Sequence, residues 1–290
     1  IAKCKHLVGK VVIITGSNTG IGYETAKDLA DRGARVILAC RDRTKGIAAR
    51  DTIIGLTNNS DVHFKQLDLA SLTSVREFVD DVIKTEKRLD VLINNAGIYE
   101  ADNVKTEDGL LLAMQTNHFG PFLLTNLLLP LLKKSAPSRI INVSSLAYLG
   151  GKIDFDNLNN DIETNKPFSA FQIYQNTKAC NVLMTTELTK RLSGTGVVSN
   201  SLHPGAVATD ILLKLKKSWI RFMVPICKPF IKTPWEGSQT TIFLAVSPDV
   251  EDVSGKFYSD CREAKLSDLG QSKEIAHKLW EVSEQLVGLK

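Results

Sequence analysis

Short runs of β-branched and aliphatic residues alternate with longer stretches of helical period along the chain. Lys10 to Thr15 (KVVIIT), Arg35 to Cys40 (RVILAC), Val62 to Gln66, Val91 to Ile93 and Ser138 to Val143 (SRIINV) read as strands, most of them apolar on both faces. Between them lie helical patterns. Tyr23 to Arg32 ends at Gly33; a second starts after the N-cap Ser71 and is marked by Ser74, Val75, Phe78, Val79, Val82 and Ile83. A third runs from about Glu107 to Lys134, bent or broken near Gly120-Pro121. Phe168 to Lys190, between Asn165-Lys166-Pro167 and Ser193-Gly194, is a further helix, and Glu274 to Val287 a terminal one. Val197 to Leu202 is a sixth strand and Lys256 to Ser259 a short seventh. From Lys10 to Val143 the alternation runs without linker, repeat or composition shift. It predicts an α/β fold, a doubly wound parallel sheet of about seven strands with helices on both faces.

Composition narrows the function classes. At 290 residues and 43% apolar, the chain can bury one large core or two small ones. The 36 Lys and Arg are interspersed with 32 Asp and Glu for a net charge of +4, so nucleic acid is not indicated as a partner. Cys4, Cys40, Cys180, Cys227 and Cys261 lack C-x-x-C or metal-type spacing, which points to a reducing, intracellular compartment. The richest apolar stretch, Phe119 to Leu132, is interrupted by Pro121, Thr125, Asn126 and Pro130 and falls short of the roughly 18 residues a membrane span needs. The first residue is not Met, so an N-terminal piece is expected to precede it, with room for a signal anchor.

The chemistry collects where strands end. The first strand breaks into Gly16-Ser17-Asn18-Thr19-Gly20-Ile21-Gly22, a strand, glycine turn and helix start that suits a phosphate. Its G-x-x-x-G-x-G spacing departs from the usual dinucleotide fingerprint, and a plain turn is the bland reading. The second strand ends in Cys40-Arg41, where an NAD site would place an acid; Arg41 suits a 2′-phosphate, while Asp42 leaves NAD open. Asn94-Asn95-Ala96-Gly97 closes the fourth strand, Ser144-Ser145 the fifth and His203-Pro204-Gly205 the sixth. Tyr174 and Lys178, four apart, share one helix face, and a nearby ammonium is expected to lower the phenol's pKa and fit it for acid/base work. Taken singly, Ser145 could be a strand-end cap, Asn117 a bend residue and Thr209 an N-cap. Cys180, His63 and His203 read as packing or loop residues.

With Thr15 to Gly22, Asn94 to Gly97, Asn117, Ser145 and Tyr174 to Lys178 in this order, the chain resembles the short-chain dehydrogenase/reductase family from about Lys10 to Ser259. Stretches such as ACRD at 39–42, LDLASL at 67–72 and SAPSRIINVSSLA at 135–147 resemble its retinol dehydrogenase branch, with microsomal and mitochondrial members. The resemblance implies a single Rossmann-type domain over 1–290. It also implies NADP(H) rather than NAD(H), lipophilic alcohols or aldehydes as substrates, and no metal. Tyr174 would be the proton donor and acceptor, Lys178 its modulator and a ribose ligand. Ser145 would bind the substrate oxygen, and Asn117 a water leading to Lys178. Gly16, Ser17, Asn18, Gly20, Ile21 and Gly22 would line the pyrophosphate, with Arg41 at the 2′-phosphate. Asp68 and Leu69 would meet the adenine, Asn95, Ala96 and Gly97 the adjoining ribose, and Pro204, Val207 and Thr209 the carboxamide.

Two departures from the family pattern stand out. Ser145 and Tyr174 are farther apart than is commonest, so Gly150 to Phe168 is expected to form an inserted loop beside the substrate. Thr19 stands where some NADP-dependent members carry a basic residue, leaving Arg41 as the main sign of NADP. The segment at about 210–233 is expected to be a substrate-side lid. Within 211–232 apolar and basic residues alternate, which suits a greasy substrate, contact with an anionic membrane, or plain packing on the core. Endoplasmic reticulum or mitochondrial membrane is the expected location if an anchor precedes the chain, cytoplasm otherwise. A homodimer is expected by resemblance alone. Reduction of steroid or xenobiotic carbonyls, and a catalytically silent nucleotide sensor, are the alternatives.

Overall fold

The structure, a computed structural model, describes residues 6–100, 102–159, 168–207 and 231–290. Strands β1 (Val11–Thr15), β2 (Arg35–Cys40), β3 (Val62–Gln66), β4 (Val91–Asn94), β5 (Ser138–Val143), β6 (Val197–His203), β7 (Phe257–Ser259) and β8 (Arg262–Ala264) form one sheet in the order β3-β2-β1-β4-β5-β6-β7-β8. All pairs are parallel except β7–β8. The eighth strand was not anticipated. It is three residues long and exposed on its first two, so neither length nor hydrophobic pattern marks it; it exists because a tight turn at Asp260-Cys261 folds it back on β7.

Side chains alternate across the sheet and both faces are covered, which explains why the strands read as continuous apolar runs. Val11, Ile13, Ile37, Leu92 and Ile140 enter one core with α3 (Leu72–Thr85), α5 (Gly120–Lys134), α6 (Ala170–Arg191) and α9 (Lys273–Leu286). Val12, Ile14, Val36, Leu38, Ile93 and Ile141 enter the other, under α1 (Gly20–Asp31), α2 (Arg43–Thr57) and α7 (Pro234–Val246). A one-residue shift in β1 would exchange these two sets, so its register is strongly specified. The short α8 (Asp268–Gln271) precedes α9.

The stretch before α5 differs from expectation. Residues 107–111 are not helical, because Lys105 and Leu111 form an antiparallel bridge and Leu112 donates to Val104 O. Helix begins as the single turn α4 (Leu112–Met114), widens into a π-turn at Gln115–Phe119 and continues as α5. The irregularity therefore lies one turn before Gly120-Pro121, and Asn117 sits inside it. Pro121 is accommodated in the first turn of α5, where a missing N–H is harmless.

The chain runs outward from β1 to β3 and returns to β4 on the other side of β1, so a crevice opens at the carboxyl ends of β1 and β4. Among the described residues no helix is long and apolar enough to cross a membrane. Thr209 and most of the 211–232 segment lie outside the described residues.

Candidate active site

The glycine turn is braced from β4. Thr15 Oγ1 accepts the N–H groups of Asn95 at 3.0 Å and Ala96 at 2.9 Å, and the Asn95 amide donates to Thr15 O at 2.8 Å and Gly16 O at 3.3 Å. Asn95 thus shapes the turn with the side chain expected to meet a ribose. Gly16 takes φ +64°, and a Cβ on it would lie 2.9 Å from Ala96 Cα. At Gly22 a Cβ would come within 2.5 Å of Asn95 Nδ2 and 2.6 Å of Gly16 O. Thr19, the N-cap of α1, makes no side-chain cap and the first turn holds no acid, so N–H groups and the helix dipole stay available to an anion. The Gly22→Ala variant is expected to lose nicotinamide nucleotide affinity by at least about tenfold, measured by fluorescence titration, because neither neighbour can retreat without breaking the brace.

At the end of β2, Cys40 is buried and its Sγ lies 3.6 Å from Ser17 Oγ; burial pushes its thiol pKa up. Asp42 caps α2 by accepting Lys45 N–H at 2.9 Å, while Arg41 is exposed. Asp68 folds onto its own loop, accepting Ala70 N–H at 2.9 Å, and Leu69 packs into the core. Ile21 and Val207 both lie against Gly237 of α7, where a Cβ would stand 2.6 Å from Val207 Cγ2. That glycine had no signal in the sequence, since only tertiary packing brings α7 there.

The two doublets separate into structural and site-facing members. Asn94 donates to Thr125 and to Asn142, which donates to Thr185, linking β4, β5, α5 and α6 through a buried polar chain. Ser144 donates to Lys178 O at 2.8 Å and so ties α6 to β5. Ser145 neighbours the Tyr174 hydroxyl and acts on it to lower its pKa. Lys178 is 3% exposed; its ammonium donates to Val143 O at 3.2 Å and lies 5.6 Å from the Tyr174 ring centroid. Asn117 holds the Ile98 peptide from both sides, accepting its N–H at 2.8 Å and donating to its carbonyl at 2.9 Å, and also donates to Thr177 Oγ1. A Cβ on Gly97 would be 3.3 Å from Lys178 Nζ and 3.6 Å from Asn117 Oδ1, so the fourth-strand turn, the π-turn and α6 meet here.

One electrostatic expectation is corrected. Tyr174 has its pKa raised, not lowered: burial dominates, the neighbouring Ser145 opposes it, and Lys178 makes no resolved contribution. Lys178 is itself pulled down to about 8 by burial, and its ammonium lies near the ring rather than being tied to the hydroxyl. His203 is more than a loop residue. Its Nδ1 accepts the Leu146 N–H at 3.2 Å, just beyond Ser145.

A parallel sheet with an anion-ready glycine turn at its crevice and a Ser–Tyr–Lys group beside it defines a nucleotide-dependent oxidoreductase of the Rossmann type. The sequence pattern of the short chain dehydrogenases matches residues 10–155. Retinol dehydrogenase 11 of Mus musculus is 48% identical over 284 residues, covering 98% of this chain and 88% of that protein. Retinol dehydrogenase 14 of Homo sapiens is 45% identical over 299 residues, covering 97% and 87%. Among solved structures, an uncharacterized protein from Mycobacterium paratuberculosis superposes with a TM-score of 0.77 at 32% identity, covering 97% of this chain and 94% of that one. Salutaridine reductase from Papaver somniferum gives 0.66 at 25% identity, covering 86% and 99%. The chain belongs to the short-chain dehydrogenase/reductase family. Within it, the chain falls in the branch of the retinol dehydrogenases, and it acts as an alcohol/aldehyde oxidoreductase with a nicotinamide cofactor.

Proposed function

We propose that this protein interconverts a lipophilic alcohol and its aldehyde, retinol/retinal or a similar isoprenoid, with NADP(H). The observation that carries the reading is Tyr174 with Ser145 as its neighbour and buried Lys178 over its ring, flanked by large apolar side chains left in the open. Leu146 and Leu149, 50% and 59% exposed, follow Ser145, and Phe171, 53% exposed, lies one turn before Tyr174. The two elements are tied by Gln172 Nε2 donating to Gly150 O at 2.9 Å. Solvent-facing aliphatic and aromatic side chains beside a polar reacting centre suit a molecule with one oxygen and a long apolar body.

Tyr174 transfers the proton to and from the substrate oxygen, and Ser145 holds that oxygen by sharing its hydroxyl between substrate and Tyr174. Lys178 supplies a positive field and N–H donors for a ribose, since Val143 O uses only part of its donor capacity. Asn117 orders the proton path toward Lys178 by keeping the Ile98 peptide in place. The glycine turn, with its tight Gly22 and uncapped α1, suits the pyrophosphate. When bound, the nicotinamide supplies the hydride chemistry; the protein supplies orientation and charge placement. Preference for NADP(H) follows from the second strand, where Cys40 replaces an acid, Asp42 is occupied as a helix cap and Arg41 is free to meet a 2′-phosphate. The lid at about 210–233, membrane contact through 211–232 and pairing of two copies belong to the same proposal, as does a membrane-side location.

Fluorescence titration with NADPH and NADH, followed by cofactor oxidation on adding all-trans-retinal, tests the reading. NADPH is expected to bind more tightly, with turnover. Arg41→Ala should weaken NADPH by roughly tenfold or more and leave NADH unchanged, the worth of one charge-assisted contact. Equal binding of the two cofactors would remove the case for Arg41, and binding without oxidation of retinal would move the substrate to another carbonyl.

A further inference from the structure

The turn that presents Ser145 is held from the neighbouring strand. Ser145 opens a short 3-10 helix, Leu146–Gly150: its Oγ accepts the Ala147 N–H at 3.2 Å and its carbonyl accepts the Tyr148 N–H at 3.0 Å. A helix start leaves its first N–H groups without acceptors inside the helix. The Leu146 N–H is such a group, and the acceptor it finds is the His203 ring. One step earlier Ser144 N–H pairs with Leu202 O at 2.8 Å, so His203 extends the β5–β6 pairing by a side-chain bond beyond the end of β5.

We propose that His203 is a positioning residue for the Ser145 hydroxyl, acting through the Leu146 peptide and touching neither substrate nor cofactor. An acceptor at Nδ1 requires an unprotonated Nδ1, so the neutral ring carries its proton on Nε2. The charged groups facing the ring are Lys232, beside Val207, and Asp260 in the β7–β8 turn, which pair with each other. Burial and the Lys232 cation hold the imidazole pKa down to about 4 against the opposing pull of Asp260. The ring therefore stays neutral, and the bond intact, at any pH where the enzyme works. No acid or base stands in the Ser145–Ala147 segment it grips.

The inference rests on the proposed role of Ser145, and a double-mutant cycle separates the two. His203→Leu is expected to lower kcat by about tenfold, the worth of one neutral hydrogen bond, with NADPH affinity changed less than about twofold. His203→Asn, whose side-chain oxygen reaches the Nδ1 position, should restore most of that loss. In a Ser145→Ala background His203→Leu should add less than about a twofold change, because the hydroxyl it positions is gone. An undiminished loss in that background, full kcat in His203→Leu alone, or no recovery in His203→Asn would overturn the inference. If His203→Leu does not fold, the unvaried protein still decides: imidazole ¹⁵N spectra should show Nδ1 unprotonated and Nε2 protonated, and the opposite tautomer rejects the proposal. Retained turnover in Ser145→Ala itself would instead strike at the role of Ser145, whatever His203 does.

Discussion

Replacing Tyr174 with Phe is expected to lower the turnover of apolar aldehydes by roughly 10²–10⁴, the usual worth of a positioned general acid. The change removes one oxygen and keeps the ring, so the packing against Tyr99, with centroids 6.0 Å apart, survives. Nucleotide affinity should stay within about threefold, because the glycine turn is built from β1, β4 and α1 and does not involve the phenol. Steady-state NADPH oxidation alongside fluorescence titration checks both halves. Full turnover in the Phe variant would sink the assignment of Tyr174 as acid/base.

The pH dependence follows from the same geometry. Burial keeps the Tyr174 phenol protonated through neutral pH, the form that reduction needs. Lys178 loses its proton at about 8. Aldehyde reduction should therefore be flat through neutrality and fall as pH rises beyond about 8, while alcohol oxidation, which needs a proton acceptor, should gain in the same range. A reduction rate that climbs from pH 7 to 9 would contradict a protonated Tyr174 beside a Lys178 that loses its proton at about 8.

Lys178→Met is expected to abolish most turnover and yet stabilise the cofactor-free protein at pH 7. The lysine is buried and its pKa is depressed from 10.5 to about 8. Below pH 8 it is charged in both folded and unfolded states, and the folded state bears the full desolvation penalty. Between about 8 and 10.5 the folded form gives up its proton first, so the penalty is relieved and stability rises with pH. The ceiling on the gain from removing the charge is about 3 kcal/mol, less whatever misfit Met leaves in the site. Urea unfolding at several pH values between 7 and 10.5 reads the result. The expected pattern is a more stable variant at pH 7 whose advantage shrinks toward pH 10.5; a variant less stable at pH 7 with an unchanged slope would mean that the ammonium is already compensated by groups in its surroundings. The first outcome would illustrate a familiar exchange, in which a site keeps an uncomfortable charge because the reaction uses it.

Much of the architecture was legible in the residues. Runs such as VVIIT and RVILAC could only be strands covered on both faces, and the glycine turn after the first of them set the crevice at the carboxyl ends. One cap was equally local: Ser71 takes the N–H three residues on, a contact that short-range chain geometry determines. The spacing of Tyr174 and Lys178 placed both on one turn of α6, and the order of the doublets along the chain revealed the family.

Local pattern could not tell Asn94 from Asn95 or Ser144 from Ser145, because each pair differs only in which way a strand end points once its neighbours are packed. The first member of each pair joins the interior network and the second turns to the site. The same holds for the π-turn around Asn117, for the approach of Gly237 to Val207, for the hairpin that adds β8, and for His203, whose partner Leu146 is 57 positions away. The direction of the Tyr174 pKa belongs here too. Sequence spacing supplied a neighbouring cation, but how strongly water is excluded from a phenol and an ammonium depends on everything folded around them, and in this protein that exclusion outweighs the neighbour. Periodicity and short-range hydrogen bonding thus determined most of the strands, several of the helices and the candidate reacting set. Desolvation and contacts between residues distant in the chain decided which polar group faces the crevice and in what protonation state.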